Sequence, residues 1–179
     1  MKAEELIKRY KKQELDFSGV SLHSIDLKKA NLTRINLSKA DLSDTDLTDA
    51  DLSGACLERA NLTNADLTNA CLVGANLTEV NLIGAELAGV DLSGANLSGA
   101  DLRCANLHGA NLSNANLTDV DLNGADLTDA DLDGTKLAGT DLSVAETKGV
   151  NTERASLDEG DRDCSMTSHH WVSWSGENI

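Results

Sequence analysis

The chain has 179 residues, 40% of them hydrophobic but only 2% aromatic, with no proline and a formal net charge of −15. That balance excludes a direct nucleic-acid binder built on clustered Lys and Arg, and an anionic membrane surface would repel it. The length suits one domain, and with so few aromatics its core has to be made of Leu, Ala, Val and Ile.

Charge is unevenly placed. Residues 1–39 hold nine Lys or Arg against five Asp or Glu, residues 40–134 two against seventeen, and residues 135–179 four against eight. Residues 1–15, MKAEELIKRYKKQEL, gather Ala3, Leu6, Ile7, Tyr10 and Leu15 on one helical side, with Glu4 to Lys8 and Glu5 to Arg9 as favourable pairs. This segment is expected to be an N-terminal α-helical cap. It lacks the apolar run and small-residue cleavage site of a secretory signal, and no stretch approaches the ~18 apolar residues of a membrane span. A cytoplasmic protein that stays off membranes is the expectation.

From Phe17 onwards one pattern governs the chain. Leu occupies every fifth position from Leu22 to Leu142, twenty-five times in succession, with Leu157 in phase after Thr147 and Thr152. Two residues before each stands a small or β-branched residue, most often Ala, and between them nearly always Asp or Asn. Neither helical nor strand periodicity explains a period of five, so five residues form one structural unit. If each unit runs extended and then turns a corner, the chain coils, and stacked coils bury the Ala and Leu that one coil alone cannot.

The unit, seen in Ala50-Asp51-Leu52-Ser53-Gly54 and Ala95-Asn96-Leu97-Ser98-Gly99, resembles the A(D/N)LXX pattern of the pentapeptide repeat family, notably its bacterial and cyanobacterial members. The resemblance implies an all-β fold, a right-handed quadrilateral β-helix with four pentapeptides per coil. It would run over residues 16–157 as about seven coils, roughly 34 Å tall at the spacing of neighbouring strands. Phe17, Leu22, Leu52, Leu72, Leu92, Leu112 and Leu132 belong to the expected core ladder. The phase holds from Phe17 to Leu157, so no projecting loop is expected.

A twenty-residue coil lets the sequence be unrolled into four faces, named here by their first leucines. The Leu27 face carries Asp26, Asp46, Asp66, Glu86, Asn106, Asp126 and Glu146 before its leucines; the Leu37 face carries Asn36, Cys56, Asn76, Asn96, Asn116 and Lys136. The six acids Asp26, Asp46, Asp66, Glu86, Asp126 and Glu146 are the candidate interaction face. Two explanations compete for them. Asp and Asn both hydrogen-bond backbone at turns, whereas acids stacked at ~4.8 Å repel, a cost that Asn would avoid.

Cys56, Cys71 and Cys104 fall on different faces, and four Cys without a close pair predict reduced thiols and no zinc site. Residues 158–179 leave the repeat and hold both Trp171 and Trp174, as a lower cap, a dimer contact or a loose tail. The adjacent His169 and His170 lack further ligands, so no metal is expected, and no cofactor motif occurs. His23 and His108 lie on different faces, and a convex rod with a filled axis offers no pocket for chemistry, so an enzyme is not expected. The reading is a non-catalytic structural or protein-interaction scaffold. Its partner is another protein with a basic surface, and the chain is a monomer or a weak end-to-end dimer through the C-terminal tail. The resemblance to gyrase-directed members of the family implies an alternative, an acidic DNA-mimic rod that occupies a basic cleft such as that of a type II topoisomerase.

Overall fold

One turn recurs along the repeat. In nearly every unit the N–H of the residue three past a leucine donates to that leucine's carbonyl, as from Ala55 to Leu52 at 2.9 Å, and the residue just before the donor sits at positive φ. The positive φ holds in all 25 units from Gly19 to Gly139, whether the residue is Gly, Asn, Asp, Lys, Arg, Ser, Glu or Cys. A positive φ at the third turn position marks a type II turn. It turns the chain after every fifth residue, so only the Asp/Asn position and its flanks remain extended. Each side therefore pairs through a single parallel bridge rather than a strand of ordinary length.

Those bridges join residues twenty apart, from Asp16 with Asn36 to Lys136 with Ser156. A typical unit donates from Leu52 N to Cys71 O at 2.7 Å and from Gly54 N to Val73 O at 2.9 Å upward, and from Asp51 N to Ala30 O at 2.9 Å downward. Four units thus make one coil, and seven coils stack into a β-helix among the described residues. The computed structural model describes residues 1–156. Leu157 and the expectations for residues 158–179, including Cys164, the His pair and both Trp, lie outside the described residues.

Inside the coils the leucines stack in four columns. Phe17, Leu22, Leu52, Leu72, Leu92, Leu112 and Leu132 are each at most 1% exposed, and the alanines beside them in the inner coils are equally buried. Thr45 and Thr135 replace alanine in this lining, and their hydroxyls donate to Leu22 O at 2.9 Å and Leu112 O at 2.8 Å. Burying a hydroxyl unpaired would cost on the order of 1–3 kcal/mol, and these carbonyls remove that cost.

The helix α1 (Ala3–Tyr10) packs on the first coil. It buries Leu6, stops before Gln13 at φ 67, and places the Arg9 guanidinium 5.0 Å from the centre of the Phe17 ring. Two carbonyls that a preceding coil would have bonded find donors here. The Met1 amine donates to Ser21 O at 2.7 Å, and the Tyr10 hydroxyl to Thr33 O at 2.9 Å.

Although the sequence phase holds, the series of bridges among the described residues breaks once. At the turn position where every earlier unit takes positive φ stands Val144, β-branched and so poorly suited to the left-handed region. Leu142–Val144 form a 3-10 turn instead, the bridge between Asp121 and Asp141 is missing, and Gly124 N–H bonds Val144 O at 2.9 Å, one residue out of register. The Thr140 hydroxyl adds to the seam: it accepts Val120 N–H at 3.0 Å and donates to Leu117 O. It thereby enters a turn that two coils earlier is closed directly, by Val80 N–H on Leu77 O at 3.1 Å. Replacing Val144→Gly should restore the turn and both ladder bonds. Two recovered bonds at about 1 kcal/mol each, less about 0.5–1 kcal/mol of glycine entropy, give a net gain of about 1 kcal/mol. A higher melting temperature, with new hydrogen-exchange protection at Leu122 N–H, is the expected result.

Candidate interaction surface

Bridges connect Asp26 to Asp46, Asp46 to Asp66, Asp66 to Glu86, Glu86 to Asn106, Asn106 to Asp126 and Asp126 to Glu146. The six candidate acids therefore share one continuous column down the Leu27 face, interrupted only by Asn106. Their carboxylates are not equivalent. Asp26, Asp46, Asp66 and Asp126 each accept the backbone N–H two residues on, at 2.8–2.9 Å, from Lys28, Thr48, Thr68 and Thr128. Asp46 also accepts from Thr48 Oγ1 at 2.6 Å. Glu86, one methylene longer, reaches upward and accepts from Asn106 Nδ2 at 2.8 Å.

The same corner bond is made by acids and amides on the other faces, for example Asp51 with Ser53 N at 3.0 Å and Asn116 with Thr118 N at 3.2 Å. One side-chain oxygen at this position is what the corner requires, and Asp and Asn both supply it. On the Leu37 face the amides also bond along the column, Asn116 Nδ2 to Asn96 Oδ1 at 2.9 Å.

Corner bonding outweighs desolvation at two ladder acids. The Thr48 hydroxyl first, then the Thr48 N–H and the charge of Lys28, hold Asp46 below its ordinary value against some desolvation. The Thr128 hydroxyl and N–H, with His108, do the same for Asp126. Asp41 on the Leu22 face is lowered likewise by Ser43, with Asn61 and His23 adding to the effect.

Attention to the residue before each leucine misses acids that are freer to meet a partner. Asp49 and Asp129 occupy the left-handed turn position of the same Leu27 face, exposed, with φ 56 and 58. Among the described residues neither spends its carboxylate on a corner. The available signal was an Asp two residues after the leucine, where glycine is commonest. Cations in the acidic stretch are neutralised where they stand: Arg59 bonds Glu79 at 2.7 Å, and Arg103 holds Asp101 at 2.7 Å with Asp121 at 3.7 Å.

One cluster of catalytic residue types also escaped the sequence. His23 Nδ1 lies 2.9 Å from Ser43 Oγ and 3.5 Å from Asp44 Oδ2, and His23 Nε2 lies 3.0 Å from Ser24 Oγ. Twenty-residue stacking brings Ser43 and Asp44 beside His23 and Ser24. The His23 and Asp44 side chains are 53% and 48% exposed, so water solvates this cluster. Cys56, Cys71 and Cys104 are free thiols, and Ser38 and Ser53 hydroxyls lie 3.1 Å from the first two sulfurs. Among the described residues no group of His, Cys, Asp and Glu is arranged to hold a metal ion, and no helix is long and apolar enough to cross a membrane.

A family profile described as pentapeptide repeats, eight copies long, matches residues 16–54, 45–82, 81–119 and 105–143. The chain belongs to the pentapeptide repeat family. Its coils are accordingly those of a right-handed β-helix. Comparison with curated proteins finds no match. Among solved structures, this pentapeptide repeat protein is similar to a trypsin-treated, singly substituted form of QnrB1, a plasmid-mediated fluoroquinolone resistance protein. The identity is 19% and the TM-score 0.52, over 80% of this chain and 82% of that one. Rfr23 from the cyanobacterium Cyanothece 51142 is 26% identical over 87% of this chain and all of its own, with a TM-score of 0.42. HetL from the cyanobacterium Nostoc sp. PCC 7120 is 29% identical over 88% of this chain and 95% of its own, with a TM-score of 0.24.

Since Asp46 and Asp126 titrate lower in the folded state, their contribution is complete above the ordinary carboxylate pKa and is lost as pH falls through the lowered value. The double variant Asp46→Asn and Asp126→Asn should therefore fold, with a shallower loss of stability toward acid. Asp46→Ala removes the acceptor itself and should cost about 1 kcal/mol at neutral pH. Melting curves across an acid pH series check both.

Proposed function

We propose that this pentapeptide repeat protein is a non-catalytic scaffold whose outer surface binds a protein with a basic face. The observation that carries this reading is the filled axis: with the leucine columns sealed, recognition falls to the outside of the rod, and from residue 40 to 134 that outside is strongly acidic. The Leu27 face, with Asp26, Asp46, Asp66, Glu86, Asp126 and Glu146 in one column and Asp49 and Asp129 beside it, is the candidate contact surface. Free thiols suit a reducing, cytoplasmic compartment.

One quantity favours the sharper alternative of a DNA mimic. Residues 40–134 carry a net −15 over nearly five coils, which at ~4.8 Å per coil is about one charge per 1.5 Å, close to the ~1.7 Å of duplex DNA. A cleft that reads charge density, such as that of a type II topoisomerase, would meet a comparable field. Fluoroquinolone resistance, the property by which QnrB1 is described, belongs to this alternative. The likeness to QnrB1 supports the fold on which the alternative stands.

Two variants test the surface. Asp46→Asn, Asp66→Asn, Glu86→Gln and Asp126→Asn remove four charges from the Leu27 face, while Asp51→Asn, Asp91→Asn, Asp131→Asn and Asp133→Asn remove four from the Leu32 face. Capture of partners from lysate should weaken as salt rises and should be lost with the first variant but not the second. Equal loss with both would make net charge, not a face, the determinant; capture indifferent to both and to salt would end the acidic-surface reading. Inhibition of a purified type II topoisomerase by the native chain, lost in the Leu27-face variant, would select the DNA mimic over the general scaffold.

The division that goes with this reading is a cap over residues 1–15, the interaction rod over 16–157 and a tail from 158. The donors that Met1 and Tyr10 bring to Ser21 and Thr33 support the cap. Deleting residues 1–14 should uncover the first coil's edge and promote aggregation more than it alters the β-type circular dichroism. A truncated chain that stays monomeric and equally heat-resistant would refute the cap.

A further inference from the structure

The seam between the sixth and seventh coils coincides with the sequence's single Asn-Gly pair, Asn123-Gly124. Asn123 is exposed at the second turn position of the Leu22 face, and Gly124 follows at φ 71. We propose that Asn123 is a site of spontaneous deamidation set by this seam, which gives the rod a slow, irreversible gain of charge.

The chemistry needs three things. The side-chain amide must be free, the next residue must leave its peptide nitrogen open to approach, and that nitrogen must be able to leave its hydrogen bond. Among the described residues the Asn123 amide has no hydrogen-bond partner; its backbone N–H donates to Asp121 Oδ1 at 3.0 Å and its carbonyl accepts from Cys104 N at 3.0 Å. Gly124 has no side chain to obstruct attack. Its N–H bonds Val144 O at 2.9 Å, within the displaced 3-10 turn, and the bridge of Asp121 with Asp141 that would brace this turn is absent. From Gly19 to Asp119 the corresponding N–H sits inside an unbroken ladder, as Gly54 does beneath Val73. Local opening is easiest where neighbouring bonds are already missing.

In the reaction Gly124 N attacks Asn123 Cγ and gives up its proton to solvent, the Cγ–Nδ2 bond breaks, and ammonia leaves with a proton taken from water. The five-membered imide that results is opened by water at either carbonyl, giving aspartate or isoaspartate at position 123. No oxidant, metal or enzyme is required. Either product adds a carboxylate beside Asp121, and isoaspartate also inserts a methylene into the backbone of the seam. Asn64, Asn69 and Asn114 occupy left-handed turn positions but precede alanine, and serve as internal comparisons.

The test is peptide mass mapping of the folded, full-length protein held at neutral pH for weeks, with enzymatic methylation to detect isoaspartate. Conversion of amide to acid should appear at Asn123, with isoaspartate present, and stay undetected at Asn64, Asn69 and Asn114. It should disappear in Asn123→Gln and slow in Val144→Gly, which closes the seam without touching the reacting pair. Conversion at Asn123 only after unfolding in urea would overturn the proposal, since the folded turn would then protect the site. Equal conversion at the alanine-preceding asparagines, or an unchanged rate in Val144→Gly, would overturn it by removing the role of the seam.

Discussion

Each corner of the rod obliges one residue to hold positive φ, and the stack depends on that constraint. For a residue other than glycine the left-handed conformation costs roughly 1 kcal/mol. Arg34, Lys39 and Glu79 all adopt it, with φ between 53 and 59. What offsets the cost is the ladder: a unit that turns on schedule places its backbone donors and acceptors opposite those twenty residues away. Where the turn cannot form, at Val144, the bridge at Asp141 fails as well, although Leu142 still keeps its place in the sequence period. Leucine spacing alone is thus insufficient. The hydrophobic period selects which residues face inward, and the left-handed residue selects whether successive coils meet in register.

The same constraint governs what stands one coil above a turn. The Asn69 side chain leans over the next coil so closely that a Cβ on Gly89 would come within 2.6 Å of its Oδ1, and Asn64 stands in the same relation to Gly84 at 2.8 Å. A turn residue with a short polar side chain therefore favours glycine twenty residues later. This coupling is written in the sequence, but it is visible only once the twenty-residue register is known.

What was legible in the chain follows from this hierarchy. The repeat, the buried leucines and the alignment of Asp26, Asp46, Asp66, Glu86, Asp126 and Glu146 follow from counting in fives and twenties, because a phase that does not slip leaves one stacking. Three features were less accessible. The break at Val144 requires knowing which turn position takes positive φ. The division between corner-bound and outward acids requires knowing that Asp46 bends back to Thr48 while Asp49 does not. The meeting of His23 with Ser43 and Asp44 depends on side-chain directions, which the choice of face does not settle.

The corner bonds change how the acidity of the rod should be weighed. If Asp and Asn were interchangeable at corners, fifteen net negative charges between residues 40 and 134 would be a cost without a local benefit. Asp46 and Asp126 show a local benefit, since hydroxyl and N–H donors stabilise their charged forms beyond what desolvation removes. A carboxylate accepts those donors more strongly than an amide does. Asp at the corner can therefore be favoured by folding itself, with recognition a consequence of the field that results. At Asp49 and Asp129 that explanation does not reach, because the turn there needs only a residue that tolerates positive φ, and glycine or Asn meets the need without charge. Aspartates at the turn position, Asp49 and Asp129 on the ladder's face with Asp44 and Asp119 on two others, are the part of the surface for which the turn itself gives no reason.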